Sequence, residues 1–210
     1  MARLDLGVLI SGRGSNLLSI LHAEAAGRLD ANLRVVASNR ADAGGLLHAK
    51  ARNVPTRVLS HKDYPTREAY DAAMVDVLRE AGVTFVVLAG FMRIVTPVLL
   101  DAFPDRVINI HPSLLPAFPG VHAQAQALAY GVKMTGCTVH FVDAGTDSGP
   151  IIAQTAVPVR DDDDEETLAA RVLNAEHNLL PRVLQWIAQG RVEIVRPASG
   201  GRPRVVVRED

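Results

Sequence analysis

Short β-branched runs alternate with longer stretches whose apolar residues recur every three or four positions. This alternation predicts strands and amphipathic helices in turn. Strands are expected at Leu4–Ile10, Leu33–Ser38, Thr56–Ser60, Thr84–Ala89, Val107–Ile110, Cys137–Val142 and Ile151–Val157. Helices are expected at Ser15–Ala26, Asp42–Arg52, Thr66–Ala81, Pro97–Ala102, Ala123–Tyr130 and Glu165–Gln189. The runs Val35–Ala37 and Val83–Ala89 are apolar without alternation, the pattern of strands covered on both faces. Strand–helix–strand spacing implies parallel crossovers, so the expected class is α/β: a Rossmann-like open, mostly parallel twisted sheet with helices on both faces. After residue 136 helices become sparse, and Cys137–Val142 can pair with Ile151–Val157 as an antiparallel portion before the long C-terminal helix. The tail carries Val192–Val195 and Arg204–Val207 around Pro197–Pro203, which leaves residues 197–210 as a small terminal hairpin or a frayed end.

Composition narrows the class. At 210 residues, one domain spanning 1–210 is expected, large enough to bury its own core without staples. The 22 Lys and Arg against 23 Asp and Glu leave a formal net charge of −1, which removes the basic field that non-specific nucleic-acid binding needs. No apolar run reaches the length of a membrane helix, since Asp5, Gly12 and Arg13 interrupt the N-terminal stretch, and no secretory leader is recognisable. A cytoplasmic location is expected, as a monomer or homodimer. The single Cys137 excludes an internal disulfide and a multi-cysteine zinc site, and the seven histidines show no metal-ligand spacing.

In open α/β sheets, ligands sit outside the carboxyl ends of the strands. The first strand runs into Ser11-Gly12-Arg13-Gly14-Ser15-Asn16, where Ser15 is a candidate N-cap and the glycines let backbone N–H groups face a phosphate. A dinucleotide fingerprint would need a third glycine where Leu17 stands and an acidic residue after the second strand, which ends Ala37-Ser38-Asn39-Arg40. The Gly-Lys-Ser/Thr of an ATP loop is absent too, so NAD and ATP are disfavoured.

The segment Arg106-Val107-Ile108-Asn109-Ile110-His111-Pro112 carries more. Asn109 and His111 are two apart and share one face of a strand, and Pro112 ends the ladder, which puts both at its carboxyl end. An amide donor beside a proton carrier suits a reaction that builds charge on a carbonyl oxygen. Asp147 stands in the glycine-rich loop Ala144–Pro150. Read without further context, it is a turn residue. Other features read as structural: Asp161–Glu166 as a solvated acidic entry to the last helix, Pro181 as a kink, and His140 as strand packing.

Taken together, Ile10–Asn16 (ISGRGSN), Leu88–Ile94 (LAGFMRI), Ile108–Pro116 (INIHPSLLP), Gly136–Gly149 and Glu176-His177 resemble the folate-dependent formyltransferases, in particular the phosphoribosylglycinamide branch of purine biosynthesis. The resemblance implies that 10-formyltetrahydrofolate is the formyl donor and the amine of 5'-phosphoribosylglycinamide the acceptor, with no metal. It implies Asn109, His111 and Asp147 as the catalytic trio, an Asp147 carboxylate within reach favouring the His111 cation. Gly14, Ser15, Asn16 and Glu176 correspond to contacts to the ribonucleotide. Arg67, Met92, Arg93, Ile94, Val95, Asn109, Asp143, Ala144, Gly145, Thr146 and Asp147 correspond to positions that hold the folate. Departures from the family pattern are Ala144, Thr146 and Ser148, and the stretch Val121–Gln126 keeps His122 without a following basic residue.

Three other readings are set beside this one. A formyl-tetrahydrofolate hydrolase is expected to carry an N-terminal regulatory domain, whereas three residues precede the first strand here. A methionyl-tRNA or amino-sugar formyltransferase is expected to carry a further C-terminal domain, for which the tail after Gln189 is too short. A non-catalytic phosphoribosyl-binding module would not require Asn109, His111 and Asp147 together. Blocking the first loop with Gly14→Val is expected to raise the KM for the ribonucleotide and leave that for the folate nearly unchanged; equal loss of both would indicate misfolding instead.

Overall fold

The computed structural model describes residues 3–197 and 200–209. Its strands are β1 (Leu4–Ile10), β2 (Ala31–Ser38), β3 (Thr56–Val58), β4 (Phe85–Leu88), β5 (Val107–His111), β6 (Met134–Phe141), β7 (Ile151–Pro158), β8 (Val192–Val195) and β9 (Arg204–Val207). Its helices are α1 (Ser15–Ala25), α2 (Gly45–Lys50), α3 (Arg67–Glu80), α4 (Pro97–Ala102), α5 (Ala123–Tyr130) and α6 (Glu165–Ala188). Seven strands form one sheet in the order β3-β2-β1-β4-β5-β6-β7, and β8 pairs with β9 apart from it. Pairings among β1 to β5 are parallel. Those of β5 with β6 and β6 with β7 are antiparallel. The strand order reverses beside β1, where β2 and β4 flank it, and this is the place where an open α/β sheet leaves a crevice.

Alternation along the strands sorts the core into two layers. Leu6, Val8 and Ile10 of β1, Phe85 and Val87 of β4 and Ile108 and Ile110 of β5 pack toward α1, α2 and α6. Leu9, Val35, Val86, Leu88 and Val107 pack on the other side, under α3 and α4. α1, α2 and α6 pack against one face. On the opposite face the helical cover stops at α4, and β5 and β6 there carry Asn109, His111, Thr138 and His140.

Several expected boundaries move. The second helix is shorter than Asp42–Arg52, and the third strand ends at Val58 before a 3-10 turn at His61–Asp63. β6 starts at Met134 because the pairing with β7 extends to Pro158. Ser15 is not the N-cap of α1; Gly14, at φ 75°, holds that position without a side-chain cap. A Cβ on Gly14 would stand 2.5 Å from Gly45 Cα, so the two glycines let the first loop lie against the start of α2. α6 runs through Pro181, whose ring is buried.

The acidic entry to α6 is only partly a solvated face. Asp164 caps the helix in a reciprocal box with Thr167. Asp163 is ion-paired to Arg171 at 2.7 Å, which holds its carboxyl well below the usual range. The tail forms the β8–β9 hairpin, not a frayed end; Ala198, Ser199 and Asp210 of the 197–210 segment lie outside the described residues. Among the described residues no helix is long and apolar enough to cross a membrane.

The β6–β7 pairing makes a test of the fold. A Cβ at Gly136 would meet Thr155 O at 2.0 Å and Leu114 Cδ2 at 2.8 Å. Gly136→Ala is expected to destabilise the protein by roughly 2–3 kcal/mol, lowering Tm by about 4–12 °C for a chain of this size. Calorimetry checks this, and an unchanged Tm would contradict the close approach.

Candidate active site

The antiparallel register sets Asn109 opposite His140 and His111 opposite Thr138. These four polar side chains form a stripe on the uncovered face, because every second residue of a strand points the same way. Thr138 fastens the loop that follows β5. Its hydroxyl donates to Ser113 O at 2.7 Å and accepts from Leu115 N at 3.1 Å, and Gln154 Nε2 donates to Leu115 O at 2.9 Å. The loop so held returns two backbone groups to the stripe. Phe118 O lies 2.9 Å from His111 Nε2, and Gly120 N donates to Asp147 Oδ2 at 2.8 Å.

Asp147 arrives from the loop between β6 and β7. That loop is folded by its own side chains: Asp143 Oδ1 accepts from Gly145 N at 3.1 Å and from Ser148 Oγ at 2.7 Å. Ser148 thus supplies a loop bond that a glycine could not. Gly149 is required where the chain turns back, since a Cβ there would lie 1.8 Å from Phe141 O. Asp147 has φ 51°, a left-handed conformation that Asp tolerates better than most residues.

Within the cluster, Asp147 Oδ2 is 3.3 Å from His111 Nδ1, and Asp147 Oδ1 is 3.5 Å from Asn109 Nδ2 and 3.7 Å from His140 Nε2. Asn109 Nδ2 is 3.3 Å from His140 Nε2. The partners assign the protons. Phe141 O, 2.9 Å from His140 Nδ1, can only accept, so Nδ1 carries hydrogen and Nε2 offers its lone pair to the Asn109 amide. Burial lowers the His140 pKa, in keeping with a neutral ring. Phe118 O likewise requires a hydrogen on His111 Nε2, while His111 Nδ1 faces Asp147 Oδ2. His111 is 4 % exposed, whereas the Asp147 side chain keeps 13 % of its surface in the cleft.

Three connected cavities surround this cluster. A small slot beside Asn109, His140 and Asp147 is walled by Leu88, Phe91, Ile94, Val95 and Val142. A cavity of about 550 Å³ contains Asn109, His111 and Asp147 with Met92, Arg93 and His122. A larger one of about 820 Å³ extends to Arg13, Ser15, Asn16 and Glu176. Gly90, Met92, Ile110, Pro112, Gln124 and Glu165 line both larger cavities, so these form one continuous cleft.

Most residues expected at the site stand there. Asn109, His111 and Asp147 converge, and Met92, Arg93, Ile94, Val95, Asp143, Gly145 and Thr146 line the slot or the adjoining cavity. Ser15, Asn16 and Glu176 line the far cavity, with Gly14 shaping the loop beneath them. Ala144 is exposed and lines none of the three. Arg67 is exposed at the first position of α3 and lines none of them either. His140 corrects the reading as strand packing, since its imidazole orients Asn109. The signal for it was in the sequence: Thr138 and His140 alternate with apolar Cys137, Val139 and Phe141, the same period-two pattern as Asn109 and His111. Glu165, read as part of a solvated block, lines the cleft.

Glu176 is the most perturbed acid of the far cavity. Burial pushes its pKa up to about 7, while Asn16 Nδ2, donating to Oε2 at 2.7 Å, pulls the other way. Asn16 Oδ1 is buried without a hydrogen-bond partner among the described residues.

The carboxyl-end crevice of this α/β sheet thus gathers an amide donor, two imidazoles and a carboxylate. The formyl transferase model matches residues 5–184, and the chain belongs to that family. It is 48% identical over 198 residues to a phosphoribosylglycinamide formyltransferase of Mycobacterium tuberculosis, covering 94% of this chain and 91% of that protein. It is 46% identical over 204 residues to the trifunctional purine biosynthetic protein adenosine-3 of Drosophila pseudoobscura, covering 96% of this chain but only 15% of that protein. The chain therefore spans about a seventh of that larger relative. Among solved structures, glycinamide ribonucleotide transformylase 1 from Symbiobacterium toebii superimposes with a TM-score of 0.95 at 48% identity, covering 99% of this chain and 95% of that one.

Because the folded chain holds the Glu176 proton to about pH 7 and an ordinary Glu releases it near 4.5, stability falls as pH rises through that window and levels off above it. Glu176→Gln is expected to flatten this slope, a difference of up to about 3 kcal/mol. Thermal melts of both proteins between pH 4 and pH 8 check it; parallel slopes would show that Glu176 ionises normally.

Proposed function

We propose that the chain transfers the formyl group of 10-formyltetrahydrofolate to the amine of 5'-phosphoribosylglycinamide, as a purine-biosynthetic enzyme acting on small molecules in the cytoplasm. The observation that carries this reading is the junction of the cleft: Asn109, His111, His140 and Asp147 meet where the apolar slot opens into the cavity that ends at Ser15, Asn16 and Glu176. An apolar slot edged by the Asp143–Asp147 loop fits the flat ring system of a folate. The first loop, whose helix N-terminus has no side-chain cap, fits the phosphate of the acceptor.

The donor supplies an electrophilic formyl carbon, and the residues around it divide the work. Asn109 turns the N–H that now makes the long 3.5 Å contact with Asp147 toward the formyl oxygen as negative charge develops there. His140 keeps the other N–H engaged, so the amide cannot rotate its carbonyl toward that oxygen. Asp147, the more exposed partner of the pair, takes the proton that the attacking amine must lose. His111 supports the Asp147 charge and supplies the proton for the departing folate nitrogen. Ser15, Asn16 and Glu176 hold the acceptor at the other end, which turns two encounters into one aligned step.

Absorbance of the purified protein with both substrates, then with each omitted, tests the reading; no change with both present would overturn it. Asn109→Ala and His111→Ala are expected to lower kcat by roughly 10²–10³, with KM changed much less. A tenfold rise in KM at unchanged kcat would assign both residues to binding alone.

A further inference from the structure

The segment Phe91–Val95 forms one wall of the slot and of the adjoining cavity, yet it belongs to no helix or strand. Its side chains alternate: Phe91 and Val95 are buried under α3 and α4, while Met92 and Ile94 are 69% and 57% exposed toward solvent. Among the described residues none of these five makes a backbone–backbone hydrogen bond outside regular elements. Two side chains fasten the segment instead. At one end Met92 N donates to Ser11 Oγ at 2.8 Å, and Ser11 Oγ donates in turn to Asn39 Oδ1 at 2.7 Å. At the other end Thr96 N donates to Asp71 Oδ2 at 2.5 Å.

Asp71 is an unexpected residue for its place. It lies on α3 with 2 % of its surface exposed, between α3 and the start of α4, where an aliphatic side chain would pack without desolvating a carboxylate. Burial raises its pKa, and the Thr96 amide and the Arg93 charge oppose that rise. Its neighbour Tyr70 lies under the Arg93 guanidinium, 5.5 Å from the ring centre. Thus Arg93 and the Thr96 amide both lean on two successive residues of α3, and both belong to or adjoin the same wall.

We propose that Asp71 is a positioning residue for the donor side of the cleft: through the Thr96 amide it sets the height of the Met92–Ile94 strap, and so where Arg93 and Ile94 stand beside Asn109 and Asp147. It touches no substrate itself. The proposal rests on reading the slot as the folate side, and the experiment separates the two.

Steady-state constants for both substrates are measured with full-length Asp71→Leu, Asp71→Ala and Asp71→Asn, alongside Tm and hydrogen exchange at the Thr96 amide. The Leu variant removes the acceptor but fills the space, and the Ala variant serves if Leu does not fold. Either is expected to raise KM for the formyl folate about tenfold, the size of one lost bond to a charged acceptor. Their kcat and KM for the ribonucleotide should stay within about twofold, and Thr96 exchange should quicken. Asp71→Asn, whose amide oxygen still accepts, is expected to restore the folate KM to within about threefold of the parent. Unchanged folate KM in the Leu or Ala variant would overturn the proposal. So would a parallel decline of all constants with Tm, or an Asn variant no better than Ala. Absence of formyl transfer in the parent protein would instead remove the functional reading beneath it.

Discussion

Asn109 faces His140, and His111 faces Thr138, because β5 and β6 run antiparallel in one register, and the polar cluster depends on that register. A slip of β6 by one residue would turn Thr138 and His140 to the opposite face. There they would enter the apolar layer that Ile108, Ile110, Val139 and Phe141 share with α6, where a hydroxyl and an imidazole could not be satisfied. The apolar half of each strand therefore enforces the placement of the polar half. What holds the site is the same burial that holds the sheet.

The stripe alone is not a site. It becomes one because two loops with little regular structure are folded over it by short polar bonds. Thr138, itself a member of the stripe, secures the loop after β5, and that loop supplies the Phe118 carbonyl and the Gly120 amide. Asp143 and Ser148 shape the loop after β6 so that Asp147 is presented to that amide and to His111. Each loop is thus anchored to the sheet and then to the other. The slot, the central cavity and the far cavity then follow as the space left between these loops, the Phe91–Val95 segment and α6.

Much of this was legible along the chain. β1, α4 and α5 stand at their expected bounds, and Pro97 opens α4 at its first turn. The pair Asn109 and His111 could be placed on one face from their spacing alone. Less legible were features in which a local rule competes with a distant partner. Ser15 looks like a cap, but Gly14 takes that position because the loop must pass close to Gly45. Glu165 belongs to an acidic run suited to a solvated helix entry, yet the packing of α6 turns it to the cleft. His140 was hidden by its buried strand, although its alternation with Val139 and Phe141 marked the polar face. Arg67 has the opposite fate, expected at the folate from the resemblance while standing exposed at the start of α3.

By itself the order of residues determined the elements, the mostly parallel sheet and the end of the sheet at which chemistry would gather. Those properties arise from short-range periodicity and from turns a few residues long. It could not determine that Asp147 would reach Asn109, 38 positions away, or that a second imidazole would orient the amide. Such meetings depend on strand register, on the left-handed turn at Asp147 and on which carbonyls the loops deliver. Those are settled only when distant segments exclude water from a common interior.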